Sequence, residues 1–424
     1  MKIAALAGLV FLALLFTPSS SGYSVLTHEE IVDLLWTSHI RPLLLARYPG
    51  LTDQQLIEAH AYAYGGSVIQ DLGYYPFGSK EFSDLTHYVR SGDFVSEMIL
   101  ESRNADEYAF ALGAMAHYIS DIDGHPAVNQ AVGIEHPHLR SRFGRIVTYE
   151  DDESAHLKTE FGFDVEQVSR HRYAPQDYRN FVGFEVSMPL LKRVFPIVYG
   201  VDLDQVLKHQ SLAVGSYRWA ISQLIPHMTK VAIQAQKKEL KHHHQPSTAA
   251  KQTFLYHVSR ADYRRAWGTK YRCAGLGTRF LAALLRLVPK VGPFKGLGFT
   301  PPPKKAEQLY LKSMDKTYAD YRTLLTEAQA GAPDLPDRDL DTGARTRLAE
   351  YKLADKTYGK LMRQLDKGHF ADTHAALRKN IAAFYASGPK RRGWRARHHW
   401  HKIAAELKQM QEAAPAVQPT HAHE

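Results

Sequence analysis

The sequence predicts an all-α protein, a multi-helix domain followed by a smaller helical unit. Apolar residues recur near the 3.6-residue helical period through most of the chain, and no stretch sustains the period-two alternation of a half-buried strand. The breaks between periodic segments carry Gly and Pro. A length of 424 residues suggests two or three structural units, and a hydrophobic share of 44% leaves enough side chains for a sizeable core.

Lys2, the apolar run Ile3 to Phe16 and the small polar stretch Thr17 to Gly22 have the layout of a secretory signal peptide over residues 1–22. An uncleaved anchor is the other reading, but the run is short for a bilayer. Cleavage would leave Tyr23 or Gly22 first and a secreted or periplasmic protein. The single cysteine, Cys273, sits in an apolar helical stretch and reads as buried filler. An exported chain without an intramolecular disulfide must rely on packing or on metal.

Residues 23–290 form the main helical region. Thr27 reads as an N-cap, with Glu29 and Glu30 in the first turn and Ile31, Leu34 and Leu35 on one face. Thr52 opens a second helix carrying Leu56, His60 and Tyr64, interrupted by Gly65 and Gly66. Residues 72–84 read as loop, 105–124 as a strong helix and 133–153 as irregular. Apolar-periodic segments follow over 177–199, 202–240 and 250–288. Residues 291–303 end in Pro301-Pro302-Pro303 and read as a linker. Residues 304–410 are a helical C-terminal unit and 411–424 a disordered tail. Asp315-Lys316-Thr317-Tyr318 recurs as Asp355-Lys356-Thr357-Tyr358, either by coincidence or from two related helices. A Pro/Asp/Gly loop over 331–342 separates them. Lys and Arg outnumber Asp and Glu by 22 to 15 over residues 303–424, the larger part of a net charge of +9. Such a tail favours an anionic partner, a membrane surface or nucleic acid.

The chemistry concentrates in Ala116 to Pro126. His117, Asp121 and His125 stand at i, i+4 and i+8, so three potential ligands project along one stripe of a helix. Leu112, Met115 and Ile119 occupy the opposite face, and Pro126 is expected to end the helix after His125. Imidazole and carboxylate are donors that zinc accepts, and burying such a stripe without a cation would be costly. His156 and Glu160 form a second i, i+4 pair. Either element alone reads as solvated or core-satisfied histidine; both together point to metal. Asp123 points off the stripe, towards a supporting role or a surface helix end.

These pieces resemble the zinc-dependent phospholipase C/D family, which includes bacterial zinc phospholipase C and the N-terminal domain of glycosylphosphatidylinositol-specific phospholipase D. The resemblance covers about residues 23–175. Ser24 to Ile31 is similar to an N-terminal Thr-His segment, which makes His28 a ligand. Gly65 to Asp71 is similar to a glycine-to-aspartate segment, which gives Asp71 the roles of metal ligand and handler of the attacking water. Phe82 to His87 supplies His87. His117, Asp121 and His125 match the helix motif, and His156 to Asp164 resembles a ligand pair with Phe-Gly-x-Asp directly after it. Gln70 departs from the Pro that often precedes the Asp. In some members the mature N-terminal residue chelates a third zinc; the equivalents would be Tyr23 or Gly22. The resemblance implies Zn2+, two or three ions, and hydrolysis of phospholipid head-group phosphodiesters. Clustered zinc would lower the pKa of a water and offset charge in an in-line displacement.

Two rival readings are a single-strand-specific zinc nuclease, which a basic chain would suit, and a non-catalytic helical protein stabilised by metal. The nucleases tend to use Asp where this chain has Glu160 and carry disulfides, which one cysteine forbids. A structural zinc needs only four ligands. Outside the stripe, His136 and His138 are possible alternative ligands, and His242-His243-His244 reads as a solvated helix end. Residues 274–299 combine Phe280, Leu281, Leu284 and Leu285 with Arg279, Arg286 and Lys290. They read either as a core helix and loop or, with the basic run Arg391 to Arg397, as a peripheral contact with anionic membranes.

Overall fold

The computed structural model describes residues 24–236, 301–388 and 394–416. The segments 1–23, 250–288 with Cys273 and 274–299, the tract His242 to His244, and Arg391 to Gly393 lie outside the described residues. Among the described residues all regular structure is helical, apart from isolated bridges between Arg338 and Arg345 and between His374 and Ala416. No described helix is long and apolar enough to cross a membrane.

The first helix, α1 (Val25–Leu35), continues through a π turn at Trp36–Ile40 into α2 (Arg41–Arg47). Its N-cap is Ser24 rather than Thr27. Thr27 lies inside the helix because its hydroxyl donates to Asp164 Oδ1 at 2.7 Å, a stronger demand than capping. Thr52 does cap α3 (Asp53–Gly66), in a capping box with Gln55. A 3-10 turn at Ile69–Tyr74 and helix α4 (Lys80–Tyr88) occupy much of the span read as loop over 72–84. Then come α5 (Ser91–Leu100) and the long axial helix α6 (Ala105–Glu135), N-capped by Asn104.

Helix α6 corrects two expectations. It does not stop at Pro126, and residues 133–135 extend it before the short α7 (Pro137–Phe143). Pro126 has no N–H to offer the Ile122 carbonyl. The loop residue Gly343 packs against this point, where a Cβ would come within 2.5 Å of Ile122 O and 3.3 Å of the Pro126 ring. Gly343 has φ +68°, which also favours glycine. Helix α6 thus continues through Pro126 where local sequence would end it.

Helix α8 (Glu153–Ser169) lies beside α6. The segment 176–235 folds as α9 (Gln176–Val182), α10 (Met188–Tyr199), the short α11 (Leu203–Val206), α12 (Gln210–Trp219), a π turn and α13 (Ile225–Ala235). In the C-terminal region α14 (Lys304–Glu327) runs along α6 and α15 (Lys352–Lys367) packs on α4. Two further helices are α16 (Ala375–Tyr385) and α17 (Trp394–Glu412), so residues 411–412 continue a helix where a disordered tail was expected. The repeated Asp-Lys-Thr-Tyr motifs fall on α14 and α15. One apolar core runs from Val25 to Met410. Lys316 on α14 pairs with buried Asp123 on α6, which makes Asp123 a tie between the two regions.

Two glycines let α3 and α6 cross with their backbones in contact. A Cβ on Gly66 would lie 2.0 Å from Phe110 O, and one on Gly113 would lie 2.1 Å from Ala63 O. Gly113→Ala is expected to lose about 1–3 kcal/mol of stability by overpacking. Gly215→Ala, on α12 with nothing within 4 Å of its Cβ, is expected to gain up to about 1 kcal/mol from helix propensity. Urea unfolding checks both, and an unchanged midpoint for Gly113→Ala would contradict the close crossing.

Candidate metal centre

The α3–α6 crossing brings the Ser67 carbonyl, just past α3, to His117 on α6. His117 Nδ1–H donates to it at 3.0 Å. On α4, His87 Nδ1–H donates to the Ser83 carbonyl one turn back at 2.8 Å. Both bonds fix the tautomer, so in the neutral rings Nε2 carries a lone pair aimed into the centre.

Asp71 reaches the same place from the 3-10 turn. That turn is clamped to α4 by Ser83, whose hydroxyl donates to Gln70 O at 2.5 Å and accepts from Gly73 N–H at 2.9 Å. Gln70, where proline was expected, uses its amide to reach Ala114 O on α6 at 3.1 Å. His28 is set by α8: Asp164 accepts from Leu26 N–H at 3.0 Å and from the Thr27 hydroxyl. Four residues separate Asp164 from Glu160, so one face of α8 both supplies a candidate ligand and anchors the helix that supplies another.

All eight residues singled out in the sequence meet in the interior. Three groups form, each with donor atoms within 4.8 Å of one another: His28, His117 and Asp121; Asp71, His87 and His117; and His125, His156 and Glu160. His117 joins the first two. Asp121 touches both, with Oδ1 3.5 Å from His28 Nε2 and Oδ2 3.0 Å from His117 Nε2 and 3.6 Å from His87 Nε2. The third group lies one turn further along α6, with Glu160 Oε1 2.8 Å from His156 Nε2 and 4.0 Å from His125 Nε2. His136 and His138 join none of the groups, and the two stand at the partly exposed and exposed start of α7.

The electrostatics of the bare polypeptide divide the centre. Burial opposes a charged His87, yet the neighbouring Asp71 and Asp121 carboxylates raise its pKa to about 9. Burial likewise opposes a charged His117, and Asp121 outweighs it. Burial raises Asp71. Asp121 is held far below the usual carboxylate range, since His117, His125 and His28 outweigh its burial. In the third group burial prevails, lowering His125 and taking His156 down to about 4.

The residues fit a metal. His87 Nε2, His117 Nε2, both nitrogens of His125 and His156, and Asp71 Oδ1 are buried without a hydrogen-bond partner. With the rings neutral, a carboxylate oxygen facing an imidazole nitrogen at 3.0–3.6 Å is two acceptors in search of one cation. Nitrogen and carboxylate donors in groups of three are what zinc accepts, with room for a further ligand. One carboxylate in this interior was missed in the sequence. Asp341, from the loop before α15, places Oδ1 3.9 Å from His125 Nε2. Its surroundings in sequence are those of any surface turn, and His125, Tyr88 and Asn129, which it meets in the fold, are more than two hundred residues away.

The fold and these buried donor groups define an all-helical metal-binding domain. Residues 27–201 match the family described as zinc dependent phospholipase C. No curated protein and no solved structure matches the chain.

The clamp between the 3-10 turn and α4 gives a direct test. Ser83→Ala leaves a buried Gly73 N–H unsatisfied and Gln70 O with the Thr86 hydroxyl as donor, and is expected to cost about 1–3 kcal/mol. Chemical unfolding measures it. Loss below about 0.5 kcal/mol would mean that the hydroxyl does not hold the turn.

Proposed function

We propose that the chain is an exported zinc-dependent phosphodiesterase that hydrolyses head-group phosphodiester bonds of phospholipids and binds two or three zinc ions. The observation that carries the reading is the convergence of eight buried donor residues within a segment that matches a zinc-dependent phospholipase family. Bound zinc would supply Lewis acidity towards a phosphate oxygen and a lowered pKa for water.

The chain's own residues do the rest. Five histidines and three carboxylates would hold the ions, with the ring tautomers of His87 and His117 fixed by backbone carbonyls. Asp71, on a turn clamped from two sides, would orient the attacking water and accept its proton. The water oxygen bonds to phosphorus as the bond to the leaving oxygen breaks, and that oxygen departs with the electron pair. Lys80, exposed and 3.7 Å from Asp84 Oδ1, has its ammonium 5.3 Å from the ring centroid of Tyr74 and 5.9 Å from that of Tyr149, rings that meet His87 and His156 edge-on. A cation there attracts an anionic head group. Export rests on the layout of residues 1–22. Docking on anionic membranes rests on the sequence of residues 274–299 and on the basic run from Arg391.

Elemental analysis of protein purified without chelator is expected to find two or three zinc ions per chain; one or none would overturn the multi-zinc reading. Asp71→Asn is expected to fold and to lose about a hundredfold or more of the activity on phospholipid vesicles, the usual scale for a lost general base. Full activity would remove Asp71 from the mechanism. Release of phosphorylated rather than free head group distinguishes the two sides of phosphorus at which cleavage can fall.

A further inference from the structure

The loop 331–345 belongs to the C-terminal region, beyond the family match, yet it is built against the metal centre. Leu340 N–H donates to the His87 carbonyl at 3.1 Å. Asn129, one turn past His125 on α6, donates to the Asp341 carbonyl at 2.9 Å. Tyr118 donates to Pro336 O at 2.5 Å, and Asp337 Oδ1 accepts the N–H groups of Gly92 and Asp93 at the start of α5. These bonds hold the loop from three directions and bring the Asp341 side chain into the interior.

The Asp341 carboxylate is fully buried and its two oxygens have different surroundings. Oδ2 accepts from the hydroxyls of Tyr88 at 2.8 Å and Tyr351 at 2.6 Å. Oδ1 has no hydrogen-bond partner and faces His125 Nε2, also without one, at 3.9 Å. Two donors on one zinc can stand no further apart than twice the metal–ligand distance, about 4.2 Å. The separation fits, and it matches the 4.0 Å between His125 Nε2 and Glu160 Oε1. The two tyrosines leave Oδ1 as the oxygen free to take a cation and fix its direction, as outer hydrogen bonds do for carboxylate ligands. Charge agrees: Asp71, Asp121 and Glu160 bring three negative charges to five imidazoles, and Asp341 makes four, the charge of two divalent ions.

We propose that Asp341 is a ninth side chain of the metal centre, a carboxylate that faces the ion held by His125 and is supplied by the C-terminal region. The inference rests on the zinc-binding reading above. Asp341→Asn keeps the shape and an acceptor for the two tyrosines but removes the charge. Full-length wild type and variant are dialysed against a graded series of chelators, zinc is counted by elemental analysis, and thermal midpoints are taken with and without zinc. Zinc retention is expected to weaken about tenfold or more. The zinc-free midpoint is expected to stay or rise, because an uncompensated buried charge has gone, so the stabilisation by zinc shrinks. Unchanged retention would overturn the proposal, and so would an equal fall of both midpoints, the mark of a structural role. Should Asp341→Asn not fold, Tyr351→Phe is read instead: it frees the carboxylate on one side, weakened retention supports the assignment, and full retention overturns it. A wild type that holds no zinc would fell the zinc reading itself, whereas a zinc-loaded wild type matched by its variant fells only the role of Asp341.

Discussion

The fold depends on one electrostatic constraint. Imidazole lone pairs and carboxylates have been brought face to face in an interior where water cannot separate them. His117 and Asp121 stand 3.0 Å apart at zero exposure. Without a cation such an arrangement costs several kcal/mol per ion. With one, the same facing acceptors become a binding site, and binding free energy becomes folding free energy. The pKa pattern of the bare chain expresses this: neighbouring carboxylates raise His87 to about 9 and raise His117, while burial lowers His156 to about 4.

Everything around the centre works to keep those donors where mutual repulsion would disperse them. Gly66 and Gly113 let α3 and α6 approach until the Ser67 carbonyl meets His117. Ser83 ties the turn of Asp71 to the helix of His87. Asp164 ties α1, with His28, to the helix of Glu160. The last two ties each join two ligand-bearing elements directly, so an error in one backbone position is shared by two donors.

What was legible in the sequence was local. The stripe of His117, Asp121 and His125 and the pair of His156 and Glu160 follow from helical spacing, because residues four apart must share a face. His28, Asp71 and His87 have no such spacing, and only resemblance to a family brought them forward. The same locality explains the errors. Pro126 breaks an isolated helix, but α6 runs on through it, packed there against Gly343 from a loop more than two hundred residues away. Thr27 has the composition of a cap, but its hydroxyl is taken by Asp164. Asp341 is the extreme case. Its roles come from Tyr88, Asn129, His125 and Tyr351, of which only Tyr351 is near in sequence.

The position of that loop changes what the C-terminal region is for. A basic helical unit after a proline-rich break reads as an appendage that could be removed without touching the chemistry. In the folded chain its first helix lies along the axial helix, Lys316 neutralises Asp123 there, and the loop after that helix hydrogen-bonds to the backbone of His87. Loop and centre therefore constrain each other. The loop has few apolar anchors of its own, Leu335 and Leu340 among them, so its order comes largely from polar bonds to the ligand-bearing helices α4 and α6 and to α5. Of those helices, α4 and α6 in turn carry candidate donors of the metal centre. The boundary at the proline run therefore separates segments of sequence that share one apolar core.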